Sequence, residues 1–304
     1  MIHLPQGLTF FERGWLSSNN ILLHDASQAI LIDTGYYTHA SQTLALVQAA
    51  LGVQPLNRIL NTHLHSDHCG GNAFLHEAYP SLEIHIPKGH AHLVDIWDAN
   101  GLTYEPTGQT CPLFKKTGLL LEGHQFEIAG LIWQVFAATG HDPHSVILFN
   151  ESHGILVSAD ALWENGFGVV FPEIEGVSAF DEVEQTLNII EDLSPQVVLP
   201  GHGSAFNDSP SAIARARSRL AQFRSAPDKH ASYASKVLLK FKLLELQRVE
   251  LNNFLDWAEK VTYLHLLHKE YAGNTDYRGW IHFLCKELEK SGACQLTQEL
   301  IINI

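Results

Sequence analysis

Cysteine is scarce in this chain. Only Cys69, Cys111, Cys285 and Cys294 occur, and no two form a C-x-x-C pair. That excludes a cysteine-built zinc knuckle and a disulfide-dense scaffold, and it fits a reducing, cytoplasmic setting. Long apolar runs are lacking as well. No stretch approaches the length of a membrane span, and the first eleven residues hold neither the basic nor the apolar segment of a secretory signal, so no membrane partner is expected. Basic residues are also few: 19 Lys and Arg stand against 33 Asp and Glu, a formal net charge of -14. A chain so acidic has no long-range attraction for nucleic acid, and a nucleic-acid partner is not favoured. Charged residues make up 17% and hydrophobic ones 45%, the balance of a globular protein and not of a disordered one. Internal repeats and low-complexity tracts are absent.

What the chain does have is histidine, 19 residues of it among 304. The length suits one large core, or one core with a smaller appended domain. Up to about residue 209 the pattern alternates between strand-like and helix-like segments. Ile21-Leu23 and Ala29-Ile32 read as a hairpin, Ser41 to Leu51 as a helix, and Ile59-Leu60-Asn61-Thr62 as a short buried strand. Asn72 to Tyr79 reads as a helix, Ile84 to Ile86 as a strand, and Thr103 to Gly118 as a long loop of the kind that is often functional. Phe126 to Ala138, Ser145 to Phe149, Gly154 to Val157 and Val197 to Leu199 read as strands, with a helix over Glu182 to Leu193. Beyond Asn207-Asp208-Ser209-Pro210 the character changes. Helices are expected over Ser211 to Phe223, Tyr233 to Glu250, Asn253 to Tyr271 and Tyr277 to Lys290, with almost no strand signal. The expected division is a catalytic domain at 1–209 and a helical domain at 210–304.

The chemistry concentrates in His63-Leu64-His65-Ser66-Asp67-His68. Four candidate ligands in six positions follow directly on a buried strand, and Gly70 and Gly71 allow a tight turn after them. Such a segment can curl around one point, and imidazole with carboxylate suits zinc, iron or manganese. A lone H-x-H pair carries much less weight, and His90-Ala91-His92 is read as surface. Cys69, though next to a ligand, is read as a small buried thiol.

Thr62-His63-Leu64-His65-Ser66-Asp67-His68-Cys69-Gly70-Gly71 resembles the T-H-x-H-x-D-H-x-G-G motif of the metallo-β-lactamase superfamily. Four further landmarks follow its order: Ile32-Asp33-Thr34-Gly35, Ala138-Thr139-Gly140-His141, Ser158-Ala159-Asp160 and Leu199-Pro200-Gly201-His202-Gly203. The resemblance implies an α+β fold, a four-layer αβ/βα sandwich, with a helical C-terminal region that resembles the small helical or winged-helix-like domains of some members. It implies two divalent metal ions, zinc first, with iron or manganese accepted by the same ligands. One ion would take His63, His65 and His141, the other Asp67, His68 and His202, and Asp160 would bridge them. Asp33 would hold the ligand loop from outside; the Asp-Thr-Gly turn is its plain structural role.

In such a centre two cations lower the pKa of a shared water, and the bridging hydroxide attacks a carbonyl or phosphorus. Asp67 and Asp160 are the expected catalytic carboxylates. The ligand pattern is complete, which the β-lactamases proper usually do not keep, so antibiotic hydrolysis is not expected. The loop after Asp160 resembles that of glyoxalase II thioesterases, but Val169 and Phe171 stand where that family uses a lysine and a tyrosine to hold glutathione. Trp163, Phe167 and His144 are expected to line the pocket. The expected function is a hydrolase of a small ester, thioester or lactone, the partner being a small-molecule substrate. A metal-dependent endoribonuclease or phosphodiesterase of the same fold is the alternative. A homodimer is compatible with all of these features.

Overall fold

The computed structural model describes residues 2–273 and 275–304. Its first half is a six-stranded sheet in chain order: β1 (Leu8–Phe11), β2 (Asn20–His24), β3 (Ala29–Ile32), β4 (Arg58–Leu60), β5 (Glu83–Pro87) and β6 (Gly118–Leu120). The β1–β2–β3 pairings are antiparallel and those from β3 to β6 parallel. A parallel neighbour requires a crossover, and α1 (Ala40–Leu51), α2 (Ser66–Cys69), α3 (Asn72–Ala78), α4 (Ala91–Ile96) and α5 (Tyr104–Thr107) lie in those connections.

The second sheet runs β11-β10-β9-β8-β7, from β7 (Gln125–Ile128), β8 (Leu131–Ala137), β9 (Val146–Asn150), β10 (Ile155–Ala159) and β11 (Val197–Pro200). The run read as one strand over Phe126 to Ala138 is two, because Ala129 and Gly130 both take positive φ and turn the chain back. Helices α6 (Phe171–Ile174), α7 (Phe180–Leu193) and α8 (Ser209–Ser225) accompany this sheet.

The central strands of both sheets are buried on both faces, while the β7–β8 edge of the second sheet is open on its outer face, where Ile132 is exposed. Ile30 and Ile32 of β3 turn to the core between the sheets, with Trp133, Val135, Leu148 and Val157. Leu31, between them in sequence, turns the other way and meets Val47 of α1 and Leu75 of α3. That alternation is the period-two geometry of a strand. On the far side, Ile147 and Leu156 pack against Val183, Leu187 and Ile190 of α7. The order is therefore helix, sheet, sheet, helix, the expected four-layer sandwich. Each such apolar side chain contributes about 1.5–3 kcal/mol by leaving water.

Helix α8 carries Ile213, Ala216, Leu220 and Phe223 into the same core as α7. A separate core starts with α9 (Pro227–Leu246) and includes α10 (Leu251–Ala258), α11 (Thr262–Leu267) and α12 (Tyr277–Lys290). Helix α8, which runs on from residue 209, thus shares the core of the second sheet, and Tyr233 of α9 packs against that core as well. The helix expected through Glu250 ends at Leu246, because Gln247 takes a φ of 61°. The residues after it form β12 (Arg248–Glu250), which pairs with β14 (Leu300–Asn303), itself paired with β13 (Cys294–Leu296). This three-stranded sheet lies in a region where almost no strand signal was expected, and helices make up most of the rest of it. Among the described residues, no helix is long and apolar enough to cross a membrane.

Candidate metal centre

Strand ends deliver every member of the cluster. The segment carrying His63, His65, Asp67 and His68 leaves β4 and turns through α2; His141 follows β8, Asp160 follows β10 and His202 follows β11. One of these exits, and that of the neighbouring strand β3, are strained. Asp33, just past β3, has φ 55°, and Ala159, just before Asp160, has φ 45° at a shift in the β10–β11 register. Left-handed backbone at a non-glycine residue costs on the order of 1–3 kcal/mol, and surrounding contacts must hold it. At Asp33 those contacts are explicit. Its carboxylate accepts from Thr62 N at 2.9 Å, Thr62 Oγ1 at 2.7 Å and His68 Nδ1 at 2.7 Å. Ser18 and Asn19 together tie the two ligand loops: the Asn19 backbone N donates to Gly201 O at 2.7 Å and its Nδ2 to Pro200 O at 2.9 Å, while Ser18 N donates to Asp67 O at 2.9 Å.

The hydrogen bonds fix which imidazole nitrogens face inward. A carboxylate only accepts, so His68 Nδ1 carries a proton toward Asp33. A backbone carbonyl only accepts, so His141 Nδ1 donates to Val169 O, 2.5 Å away. The opposite nitrogens, His68 Nε2 and His141 Nε2, are buried and have no hydrogen-bond partner. Both turn to Asp160. His68 Nε2 lies 3.4 Å from its Oδ1 and His141 Nε2 lies 3.4 Å from its Oδ2. His202 Nε2 is 3.1 Å from Asp67 Oδ2 and 3.8 Å from Asp160 Oδ1. His63 Nε2 and His65 Nδ1 approach to 3.0 Å.

Three overlapping groups result: His63, His65 and His141; His63, His68 and Asp160; Asp67, His68 and His202. Within each, the ligand atoms lie no more than 4.8 Å apart. Orphaned buried nitrogens are rare. Two of them converging on one carboxylate fit a cation, and the mixture of imidazole and carboxylate fits zinc, iron or manganese.

The electrostatics agree. Burial, helped by His68, His65 and His141, pushes His63 well below its usual value, and burial with His141 takes His65 down to about 4. Both therefore keep a lone pair at neutral pH. Burial opposes ionisation of Asp160 and Asp67, but His202 and His68 outweigh it at Asp160, and His68 and His202 at Asp67, so both carboxyls titrate below the usual range. His68 is the exception among the histidines. Burial works against its charged form, yet Asp160, Asp33 and Asp67 together raise it well above normal. Three carboxylates thus ask for positive charge at one point, which a proton or a cation meets.

A cavity of about 90 Å³ opens over these groups, lined by Trp15, Gln109, Trp163, Val169, Phe171 and Phe241 among others. Trp15 stacks on His202, with ring centroids 5.4 Å apart and planes 4° from parallel, and Trp163 Nε1 donates to Asp160 Oδ1 at 3.2 Å. Ser66 Oγ donates to Gln109 Oε1 at 2.5 Å, which leaves the Gln109 amide N–H groups for a ligand.

Of the three expected pocket residues, only Trp163 lines this cavity. Phe167 is buried on the other side of its loop against Phe223, so it belongs to the core. His144 is exposed and packs edge-on against His90, away from the cavity. His90 is half-buried, unlike His92, which is exposed as expected. The His90 Nδ1 faces Asp142 Oδ2 at 3.9 Å, and His65 Nε2 faces the same oxygen at 3.9 Å.

With this geometry in place, the family model described as "Metallo-beta-lactamase superfamily" matches residues 13–202. The chain belongs to the metallo-beta-lactamase superfamily. It is 29% identical over 169 residues to a hydroxyacylglutathione hydrolase of Synechococcus sp. (strain JA-2-3B'a(2-13)), covering 54% of this chain and 57% of that protein. It is 26% identical over 205 residues to an atrochrysone carboxyl ACP thioesterase of Aspergillus chevalieri, covering 66% of this chain and 56% of that one. The chain thus spans less than two thirds of the length of either relative. A solved metallo-beta-lactamase family protein from Thermus thermophilus shares the fold with a TM-score of 0.59 and 19% identity, over 99% of this chain and 100% of that one.

Two glycines beside the cluster have a steric reason. A Cβ at Gly201 would overlap Asp160 Oδ1, and one at Gly168 would overlap the His141 ring. The superfamily motifs do not reach Trp15, Asn19, Gln109 or Asp142, nor Tyr233, Val237 and Phe241 of α9, which also border the cavity. Only Gln109 carried a sequence signal, through its place in the long loop.

Proposed function

We propose that this chain is a metal-dependent hydrolase of thioesters with a largely apolar acyl part, acting at a two-ion centre. The observation that carries the proposal is the divided carboxylate of Asp160, one oxygen turned to His141 and the other to His68 and His202. His63, His65 and His141 would hold one cation, Asp67, His68 and His202 the other, with Asp160 shared. When bound, such a pair supplies Lewis acidity and a positive field for a water nucleophile and a carbonyl oxygen.

The chain's own residues do the rest. Asp33 holds His68 in the tautomer that turns Nε2 inward, and the Val169 carbonyl does the same for His141. Asp67 lies beside His202 at the cavity wall, where its free oxygen can orient water. Trp15, Trp163, Val169 and Phe171 surround the reacting position with apolar surface, which favours a thioester carbonyl over a charged phosphodiester. Val169 and Phe171 offer no anchor for an anionic tripeptide, which sets this pocket apart from one built for glutathione. Names of relatives that act on thioesters support the reaction class. Hydrolysis adds water across the C–S bond and releases a carboxylic acid and a thiol.

The test is a screen of zinc-, iron- and manganese-reconstituted protein on acyl thioesters, lactones, aryl esters and phosphodiesters, with His65→Ala and Asp160→Ala beside it. Thioester hydrolysis reduced on the order of 10²-fold or more in both variants is the expected result. Unchanged rates in the two variants, or turnover of phosphodiesters alone, would overturn the reading.

A further inference from the structure

The cavity over the cluster is small. Its volume of about 90 Å³ holds roughly three water-sized groups, enough for a reacting carbonyl and little more. Beside it lies a second cleft of about 320 Å³, room for roughly ten such groups. Trp15, Val237 and Phe241 line both, so the two spaces meet along one ridge. Leu244, Leu288 and Ile304 continue the second cleft as an apolar trough. Two lysines, Lys236 and Lys240, also border it, and one of them is tied elsewhere. The Lys240 ammonium is held by Ala293 O at 2.6 Å, Asn303 Oδ1 at 2.6 Å and Ile304 O at 3.1 Å, so the stem is what it offers the cleft. Trp15, at the junction, is 58% exposed although it stacks on His202, an unusual state for a side chain so large.

We infer that the second cleft is a subsite for the acyl tail of the substrate, a straight apolar chain that crosses the Trp15–Val237–Phe241 ridge while its thioester carbonyl sits at the cluster. The inference rests on the thioester reading above and adds the substrate class. The acyl side is assigned to the cleft because the thiol side of a carrier-type thioester bears amides. Burying an amide without a partner costs about 2 kcal/mol or more, and apart from Lys236 at its border the trough is lined by hydrocarbon. The α9 helix, outside the segment that holds the ligands, thereby sets chain-length preference.

The test compares acetyl, hexanoyl and decanoyl thioesters of N-acetylcysteamine on the metal-loaded protein and on its Leu244→Trp variant, which fills the trough at a half-buried position away from the cluster. In the native protein kcat/KM should rise about fourfold for each methylene that enters the cleft. In Leu244→Trp the rise should vanish while acetyl thioester turnover stays as in the native protein. Leu244→Ala, which widens the trough, should move the preference to longer chains. A native protein that hydrolyses acetyl and decanoyl thioesters alike, or a Leu244→Trp variant with the native slope, overturns the subsite. A second readout separates this from failure of the reaction class. Calorimetry should show S-decyl-N-acetylcysteamine binding about tenfold or more tighter than the S-ethyl thioether, with the difference lost in Leu244→Trp. If no thioester of any length is hydrolysed, the reaction class fails and the calorimetric difference decides the cleft on its own.

Discussion

Replacing Asp33 by asparagine is the sharpest test of how the cluster is held. Asp33 Oδ1 receives Thr62 N at 2.9 Å, while Oδ2 receives both Thr62 Oγ1 and His68 Nδ1 at 2.7 Å. An asparagine that keeps its carbonyl on Thr62 N must present an NH2 group to His68. That group donates where the carboxylate accepted. His68 must then accept at Nδ1, and its proton moves to Nε2, the buried atom that has no other partner. Binding a cation at Nε2 now requires breaking a hydrogen bond and restoring the other tautomer. A buried charge-assisted hydrogen bond is worth about 1.5–3 kcal/mol, and about 1.4 kcal/mol is a factor of ten. Zinc affinity should therefore fall about 10- to 100-fold, the range typical when a partner behind a metal ligand is lost. The assay is competition with a chromophoric chelator on metal-stripped protein, with circular dichroism to check the fold. Thr62→Ser is the control, since it keeps the hydroxyl that donates to Asp33 Oδ2 and lies 3.1 Å from His63 Nδ1; its zinc affinity should change less than about threefold. An Asp33→Asn protein that folds and binds zinc within about threefold of the native one would refute the account.

Two further substitutions test the surroundings. Gly201→Ala puts a methyl group onto Asp160 Oδ1 and within 2.9 Å of the Ala159 carbonyl carbon, so Asp160 must move; kcat should fall on the order of 10²-fold, as for a misplaced catalytic group, with metal stoichiometry measured alongside. His230 tests the pH response. It is buried, accepts from Val170 N at 3.3 Å, and burial pushes it down to about 4 from its usual 6.5. The folded state resists a proton that the unfolded chain takes up near 6.5, so its contribution is harmless above that pH and stability is lost as pH falls from 6.5 to about 4. The full loss is about 3 kcal/mol. Urea melts at pH values of about 7.5 and 4.5 should show most of it, and His230→Gln should remove it; equal pH dependence in both proteins would refute the assignment.

Much of the cluster is legible in the sequence because its chemistry is local. Four candidate ligands crowd into six positions, and His141, Asp160 and His202 each end a short strand with a distinctive turn. The central strands show as apolar runs because both of their faces are covered. What failed to show depends on direction or on distance along the chain. Phe167 and His144 sit near ligands in sequence, but backbone direction sends one into the α7–α8 core and leaves the other outside. His90 looks like half of a solvated pair until tertiary packing places it against Asp142. Trp15 and the α9 residues reach the cavity from segments far from the motifs, and no spacing rule links them. The three short strands of the C-terminal region are too brief to show a period, and the residues after Gln247 continue a helical pattern that only its positive φ interrupts.

The cluster draws on both sheets, and this orders events during synthesis. His63 to His68 emerge from the ribosome early, on a sheet that cannot complete a coordination shell by itself. His141, Asp160 and His202 come from the second sheet, and the last of them follows on the order of ten seconds later at ordinary rates of translation. Before the second sheet is made, the early histidines have only each other, Asp67 and the Asp33 carboxylate behind His68. Full occupancy of such a centre would therefore report that the two halves have docked, and an ion held there would tie together parts of the chain that were made at different times.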